Sequence, residues 1–184
     1  YNIPVKISIV MNRETWDKFW SKDFHFENPL YLILDILRLL ARLIHLRVAL
    51  RACPRNAQTI LELGCGSSYI LRKLSYLRNT LSIGIDISLT ILRRQKRIRH
   101  ITNIEYIVAS CTHIPVRDRC VDYIFHFGLL EHLNKRELKS TMREIARTLK
   151  LNGIHLIVIP TEENILSKFD KIFNFKKSDQ QRRS

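Results

Sequence analysis

The sequence is poor in residues that break or staple a chain. Five glycines and five prolines in 184 residues, with no Ser/Gly-rich or repeated stretch, leave no obvious linker and exclude a solenoid. Cysteine is equally sparse: Cys53, Cys65, Cys111 and Cys120 include no CxxC pair and no histidine at zinc-ligand spacing. Neither a structural metal nor a disulfide framework is indicated, and a reducing, cytoplasmic setting fits best. Acidic residues are short as well, 17 Asp+Glu against 31 Lys+Arg, for a formal net charge of +14. That surplus bears on solubility and on attraction to nucleic acid or anionic membranes, and says nothing about fold. The densest run, "RRQKRIRH", puts Arg93, Arg94, Lys96, Arg97 and Arg99 within seven residues. With no exposed aromatics or nucleic-acid module nearby, it reads as the solvated face of a helix, and contact with a polyanion stays open but not favoured.

Long uninterrupted apolar runs are missing too. The one membrane candidate, Leu30 to Leu50, is broken by Asp35, Arg38, Arg42 and His45 at steps of three, four and three, a narrow stripe on a helix. Four polar groups at the centre of a span are costly, so no transmembrane segment is expected. Asn28–Pro29 offers an N-cap and a first-turn proline, and the helix should end before Cys53–Pro54. Its wide apolar face should pack on a sheet or a second subunit, a peripheral membrane role being less favoured. The N-terminus "YNIPVKISIV" lacks the pattern of a signal peptide. Met11 would make a natural start, leaving the first ten residues as an upstream extension or an artefact.

What is present is enough for one globular domain: 46% apolar residues over a length that suits a single core. Three parts are expected, an N-terminal helical extension or cap over 1–57, an α/β core over 58–160 and a C-terminal helix and basic tail over 161–184. From Thr59 onward strands and helices alternate. "TILEL" (59–63), "LSIGID" (81–86), "IEYIVA" (104–109), "VDYIFHF" (121–127) and "GIHLIVIP" (153–160) read as strands. Helices are expected over "YILRKLSYLRN", "SLTILRRQKRIRH" and "KRELKSTMREIARTLK". Continuous Ile/Leu/Val strands separated by amphipathic helices predict a Rossmann-like, doubly wound parallel sheet covered on both faces. Ligands of such sheets sit beyond the carboxyl ends of the strands beside strand one, which places a site at "GCGSSY". Glycines there let backbone approach a ligand closely, and the helix that follows offers amide donors to an anion.

Two cofactors compete for that loop, a dinucleotide and S-adenosylmethionine. The dinucleotide fingerprint GxGxxG/A needs a small third residue, and after Gly64 and Gly66 that position holds Tyr69, too bulky for close helix–strand packing. "ILELGCGSS", "GIDIS", "IVASCTHIPV", "DYIFHFGLLEHL" and "LKLNGIHLIVIP" follow in order over about residues 58–160. This set resembles class I S-adenosylmethionine-dependent methyltransferases, most closely the small-molecule branch that includes the ubiquinone and menaquinone biosynthesis enzymes.

The resemblance implies S-adenosylmethionine as cofactor and a cofactor site built from Glu62, Gly64, Cys65, Gly66, Asp86, Ile87, Ser110, Cys111, Thr112, His126 and Phe127. Asp86 ends the second strand 22 residues after Gly64, where a carboxylate can accept both ribose hydroxyls; the competing role is a cap for the next helix. Gly64 and Gly66 admit the methionyl portion, with Glu62 near its ammonium or purely structural. Ile87 packs on the adenine or belongs to the core. Ser110 stands where the family usually has an Asp for the adenine amino group, so that contact passes to its hydroxyl or to backbone at Cys111 and Thr112. Ser68 stands where the pattern has its last glycine, its hydroxyl being able to satisfy an orphan helix amide. His126 and Phe127 are expected near the sulfonium. Glu131 and His132 match the family's "EH" pair, with His132 a general base or a shaper of the acceptor pocket.

Methyl transfer to a small-molecule or lipid-like acceptor by in-line displacement is the activity implied, one that depends on alignment more than on a catalytic triad. The alternative is a catalytically weak cofactor-binding domain acting as a partner subunit or on RNA. The family's sheet has seven strands and five are visible here, so "IHLIVI" is expected as an apolar open edge. A homodimer or a partner chain could engage that edge or the N-terminal helix.

Overall fold

Five runs of Ile, Leu and Val residues do become the strands of one sheet. The computed structural model describes residues 12–21, 29–98 and 103–159, without the side chains of 29–36 and 38. The strands are β1 (Thr59–Leu63), β2 (Leu81–Asp86), β3 (Ile104–Val108), β4 (Val121–Phe127) and β5 (Leu149–Val158). They are all parallel, in the order β3-β2-β1-β4-β5. The order reverses between β1 and its neighbour β4, so the crevice that such a reversal opens lies beyond Leu63 and Phe127.

The helices are α1 (Arg13–Ser21), α2 (Pro29–Ala52), α3 (Tyr69–Arg78), α4 (Leu89–Lys96) and α5 (Lys135–Thr148). On one face, α2 and α3 cover Ile60, Tyr123 and Phe125 through Ala49, Ile70, Leu71 and Leu74. On the other, Ile145 of α5 packs with Leu61, Leu63, Ile85 and Ile124. Burying this many aliphatic and aromatic side chains, each contributing about 1.5–3 kcal/mol, is what holds the layers together. Ala49 lets α2 come close enough for the Tyr123 hydroxyl to donate to its carbonyl at 3.1 Å.

Three expectations are corrected. The helix after β2 ends at Lys96 rather than running through "RIRH", because Arg97 and Ile98 turn back on the carbonyls of Arg94 and Gln95. The last strand begins at Leu149, four residues early, and its pairing with β4 slips between Val121 and Tyr123. Gly153 absorbs that irregularity, since a Cβ there would lie 2.7 Å from Leu149. Part of the apolar face of α2 packs on the sheet as expected, through Leu46, Ala49 and Leu50, but polar-stripe residues turn the same way: His45 stacks on Phe127 with ring centroids 4.7 Å apart, and Arg42, itself exposed, lies over the Tyr69 ring. The apolar Leu39, Leu40, Leu43, Ile44 and Val48 are exposed instead. Asp35 and Arg38 fall outside the described side chains, as do Asn28 and the tail over 161–184 outside the described residues.

Among the described residues β5 has one neighbour, and Ile154 and Ile157 along it are partly exposed, as the expected open edge requires. No helix of the described residues is long and apolar enough to cross a membrane. Asp122 ties the start of β4 to both neighbours, accepting from the amides of Gln58 and Thr59 at 3.0 Å and from Lys150 Nζ at 2.7 Å.

Two side chains sit under strain that experiment can read. His126 is fully buried on β4 beside His155, with neither ring nitrogen hydrogen-bonded among the described residues. Burial, with a smaller effect of His155, lowers its pKa to about 4. The unfolded chain binds that proton near pH 6.5, so the folded state loses stability as pH falls through the window between the two values. Denaturation at pH 5 should show about 2 kcal/mol less stability from this group than at pH 7.5, and His126→Gln should flatten that part of the profile. Ser68 takes the left-handed backbone (φ 50°) and its hydroxyl makes no cap to α3, contrary to expectation. A capping residue normally has extended backbone that aims its oxygen at the first-turn amides. Ser68→Gly removes the left-handed strain and should stabilise the fold by about 1 kcal/mol in chemical denaturation.

Candidate functional site

The crevice at the carboxyl ends of the strands holds a cavity of about 220 Å³. Its floor is the turn after β1, where Gly64 and Gly66 have φ of 63° and 44°. Only glycine adopts such angles cheaply, and the turn brings bare backbone to the cavity surface. Gly64 must also be small, since a Cβ there would lie 3.1 Å from Leu129. Cys65 N–H donates to the Ile85 carbonyl at 3.0 Å, pinning the turn to β2.

Asp86 closes β2 and is 8% exposed. One carboxylate oxygen accepts from Gly66 N–H at 2.9 Å and the other from Ser88 N–H at 2.8 Å. Burial raises its pKa, while those two amides oppose the rise. The amides use part of each oxygen's capacity, since a carboxylate offers about four acceptor positions. What remains can accept donors from the cavity that Asp86 lines. The helix-start role weighed from the sequence is present and leaves the carboxylate acceptor capacity toward the cavity: Asp86 shapes the start of α4, and Ser88 itself caps that helix through Ile91 N–H.

The far wall follows β3. Ser110, Cys111 and Thr112 line the cavity, with Ser110 Oγ and Thr112 Oγ1 2.8 Å apart and Thr112 N–H donating to Ser110 Oγ. Arg147 braces the next stretch from α5: it donates to the carbonyls of Ile114 and Val116 and pairs with Glu144 and Asp118. Glu144 in turn accepts from Ile114 N–H at 2.7 Å. The Cys111 side chain points back into the fold, accepting from Thr141 at 3.4 Å, and burial raises its thiol pKa.

Beyond β4, Phe127, Gly128 and Leu129 lead into a short 3-10 turn over Leu130–His132. His132 faces the cavity, together with Leu133 and Glu137. Glu137 also completes a capping box with Asn134 at the start of α5.

Of the residues expected at the site, Gly64, Gly66, Asp86, Ile87, Ser110, Cys111, Thr112, Phe127 and His132 line the cavity. Glu62, Cys65 and His126 are not among the lining residues, and for His126 the reason is the alternation of strand side chains. His126 points to the face opposite Phe127. Glu62 lies on the α3 face behind the glycine turn, 6% exposed, with one carboxyl oxygen unpartnered among the described residues. Burial raises its pKa well above the usual carboxylate range, with the Leu71 amide the main opposing influence. Cys65 turns its side chain in among Ile91 and Leu92, and burial raises its thiol far above normal. Glu131 is exposed and folds over Gly128 instead of entering the cavity.

Sequence reasoning missed Trp16 and Trp20, which α1 brings to the cavity. Trp16 meets His132 edge-on with centroids 5.2 Å apart, and Trp20 covers Gly66. The signal was available: "WDKFW" spaces two indoles by four residues, one face of a helix.

With this geometry in view, comparisons with known proteins agree. A family model described as a methyltransferase domain matches residues 60–153. An uncharacterised protein of Methanocaldococcus jannaschii is 32% identical over 126 residues, covering 67% of this chain and 46% of its own. A probable S-adenosylmethionine-dependent methyltransferase of Mycobacterium tuberculosis is 28% identical over 118 residues, covering 63% and 41% respectively. The chain thus spans less than half the length of these curated relatives. Among solved structures, a Pyrococcus horikoshii protein shares the fold with a TM-score of 0.64 at 21% identity, over 76% of this chain and 62% of that one. A cavity at the strand reversal, floored by a positive-φ glycine turn and closed by a buried strand-end aspartate, is what the matched segment encodes: the chain belongs to the methyltransferase domain family.

Proposed function

We propose that this domain binds S-adenosylmethionine and transfers its methyl group to a small-molecule or lipid-like acceptor, in a cytoplasmic setting. The observation that carries the reading is Asp86, a buried carboxylate with spare acceptor capacity at the end of β2, held by Gly66 N–H and Ser88 N–H. The residues present fit such a cofactor on two further counts. The Gly64–Gly66 backbone can approach a ligand without Cβ atoms in the way, and Glu62 keeps a buried oxygen without a partner among the described residues directly before that turn.

When bound, the cofactor supplies a methyl group on a positively charged sulfur that leaves as a neutral thioether. The chain's own residues then orient and exclude water. Asp86 would hold the ribose hydroxyls, and Glu62 would draw the ammonium group. Ile87 and the Ser110–Thr112 turn would flank the adenine. Phe127 and the aromatic wall from α1 would keep the reaction centre dry. Holding two reactants aligned accounts for up to roughly 7–11 kcal/mol of a barrier in model reactions. His132 lies at the end of the cavity away from Asp86's strand and would take the proton released by a hydroxyl or amine acceptor.

A second reading, a donor-binding subunit that acts through a partner chain, draws on the open β5 edge and the exposed apolar row of α2. A neighbouring structure holds a Haloferax volcanii Trm112 methyltransferase activator with a putative methyltransferase, at a TM-score of 0.52 and 24% identity. That likeness bears on the fold, and the partner reading rests on the two exposed surfaces.

Calorimetric titration with S-adenosylmethionine and S-adenosylhomocysteine tests the premise. Wild type should bind both, and Asp86→Ala should weaken binding at least about a hundredfold, the scale expected when two charge-assisted hydrogen bonds are lost. Undiminished binding by that variant overturns the reading. On an acceptor that is turned over, His132→Gln should lower kcat by about a hundredfold or more while leaving the KM for the methyl donor unchanged.

A further inference from the structure

The helix α1 is bound to the cavity by an unusual set of contacts. None of its residues is buried, so burial alone does not fix it. Asp17 on its inner face accepts from the Ser88 hydroxyl and, at 3.0 Å, from Thr90 N–H, both at the start of α4. Ser88 is also the residue whose N–H donates to Asp86. One chain of hydrogen bonds therefore runs from Gly66 through Asp86 and Ser88 to Asp17, joining the cavity floor to α1.

One turn further on, Trp20 lies over Gly66, its ring 3.0 Å from where a Cβ at that position would stand. Trp16 closes the other end against His132. The cavity, about 220 Å³ and partly open to solvent, is smaller than the roughly 300–1,000 Å³ typical of small-molecule sites. Both indoles line it, so their positions set how much room a nucleoside with an amino-acid arm has.

We propose that Asp17 is a positioning residue that latches α1 onto the methyl-donor site, so that occupancy of the Asp86 subsite and closure of the Trp16/Trp20 lid are coupled. The proposal rests on the reading of the cavity as a methyl-donor site. Ligand binding lifts Trp20 off Gly66, and the Asp17–Ser88 contact then holds the lid over the occupied site. The anchor acts through the side-chain oxygen that accepts from both Ser88 and Thr90, not through the Arg13 pair, which spans 3.7 Å on the exposed side.

The test uses a property of the whole chain: its two tryptophans are both on α1, so intrinsic indole emission reports that helix and its contact with a bound ligand. Mixing the protein with S-adenosylhomocysteine in a stopped-flow fluorimeter should change that emission. Asp17→Ala should raise the dissociation rate about tenfold, the loss of charge-assisted hydrogen bonds. Asp17→Asn, which keeps an acceptor oxygen, should stay within about threefold of wild type. Lys18→Ala, on the exposed side of the same helix, should leave the rate unchanged, and thermal melts of all variants establish that each is folded. Calorimetric binding with unchanged indole emission overturns the lid and leaves the methyl-donor site standing, as does a wild-type dissociation rate in Asp17→Ala. Absence of calorimetric binding in the wild type overturns the methyl-donor reading, and the latch with it.

Discussion

The Asp86 carboxylate is the fixed point of the molecule. It stands at the end of a strand buried on both faces, and its two oxygens hold the amides of Gly66 and Ser88. These amides belong to different turns, one leaving β1 and one entering α4, so a single side chain sets the relative position of two loops and two helices. Taking a carboxylate out of water is costly, and burial raises its pKa accordingly. Two amide donors offset much of it and leave acceptor capacity directed into the cavity. The rest of the site is arranged around that residue.

The packing follows from it. β1 and β2 run in strict register from Thr59 opposite Leu81 to Leu63 opposite Ile85, which delivers the glycine turn and Asp86 to the same level of the sheet. Gly84 must be bare for Tyr106 and Cys65 to close over it, since a Cβ would lie 2.9 Å from the Tyr106 ring. The small residue on β2 thus brings β3 and the glycine turn together beneath α4.

Most of the fold was legible because apolar runs in a parallel sheet leave a strong, local signature. β1, β2 and β4 begin and end where composition places them, and α5 starts at the Asn134–Glu137 capping box. The exceptions are positions where non-local contacts override the pattern. "LK" after α5 joins β5 because β4 offers partners, and His45 turns inward because Phe127 gives it a ring to stack on. At the site, glycines and Asp86 could be read from spacing, whereas Glu62, Cys65 and His126 could not be assigned a side. Strand pleat decides that for His126, where a one-residue change of phase exchanges cavity for core, whereas Cys65 stands in the turn after β1 and Glu62 lies behind that turn on the face of Phe127. Trp16 and Trp20 escaped because α1 is short and attaches through a polar contact, although their i, i+4 spacing marks one helix face.

Arg147 gives the cavity two walls of unequal stiffness. On the β3 side, its guanidinium binds two carbonyls and two carboxylates, so Ile114–Asp118, just past the Ser110–Thr112 turn, moves only if α5 moves. On the α1 side, the wall is a nine-residue helix with no buried residue. The two sides are therefore unequal: the surface beyond β3 acts as an anvil, and the wall free to yield to a ligand is the one formed by α1. Diversification of this fold toward new acceptors has a mechanically cheap direction, along α1, and a stiff one, along the brace from α5.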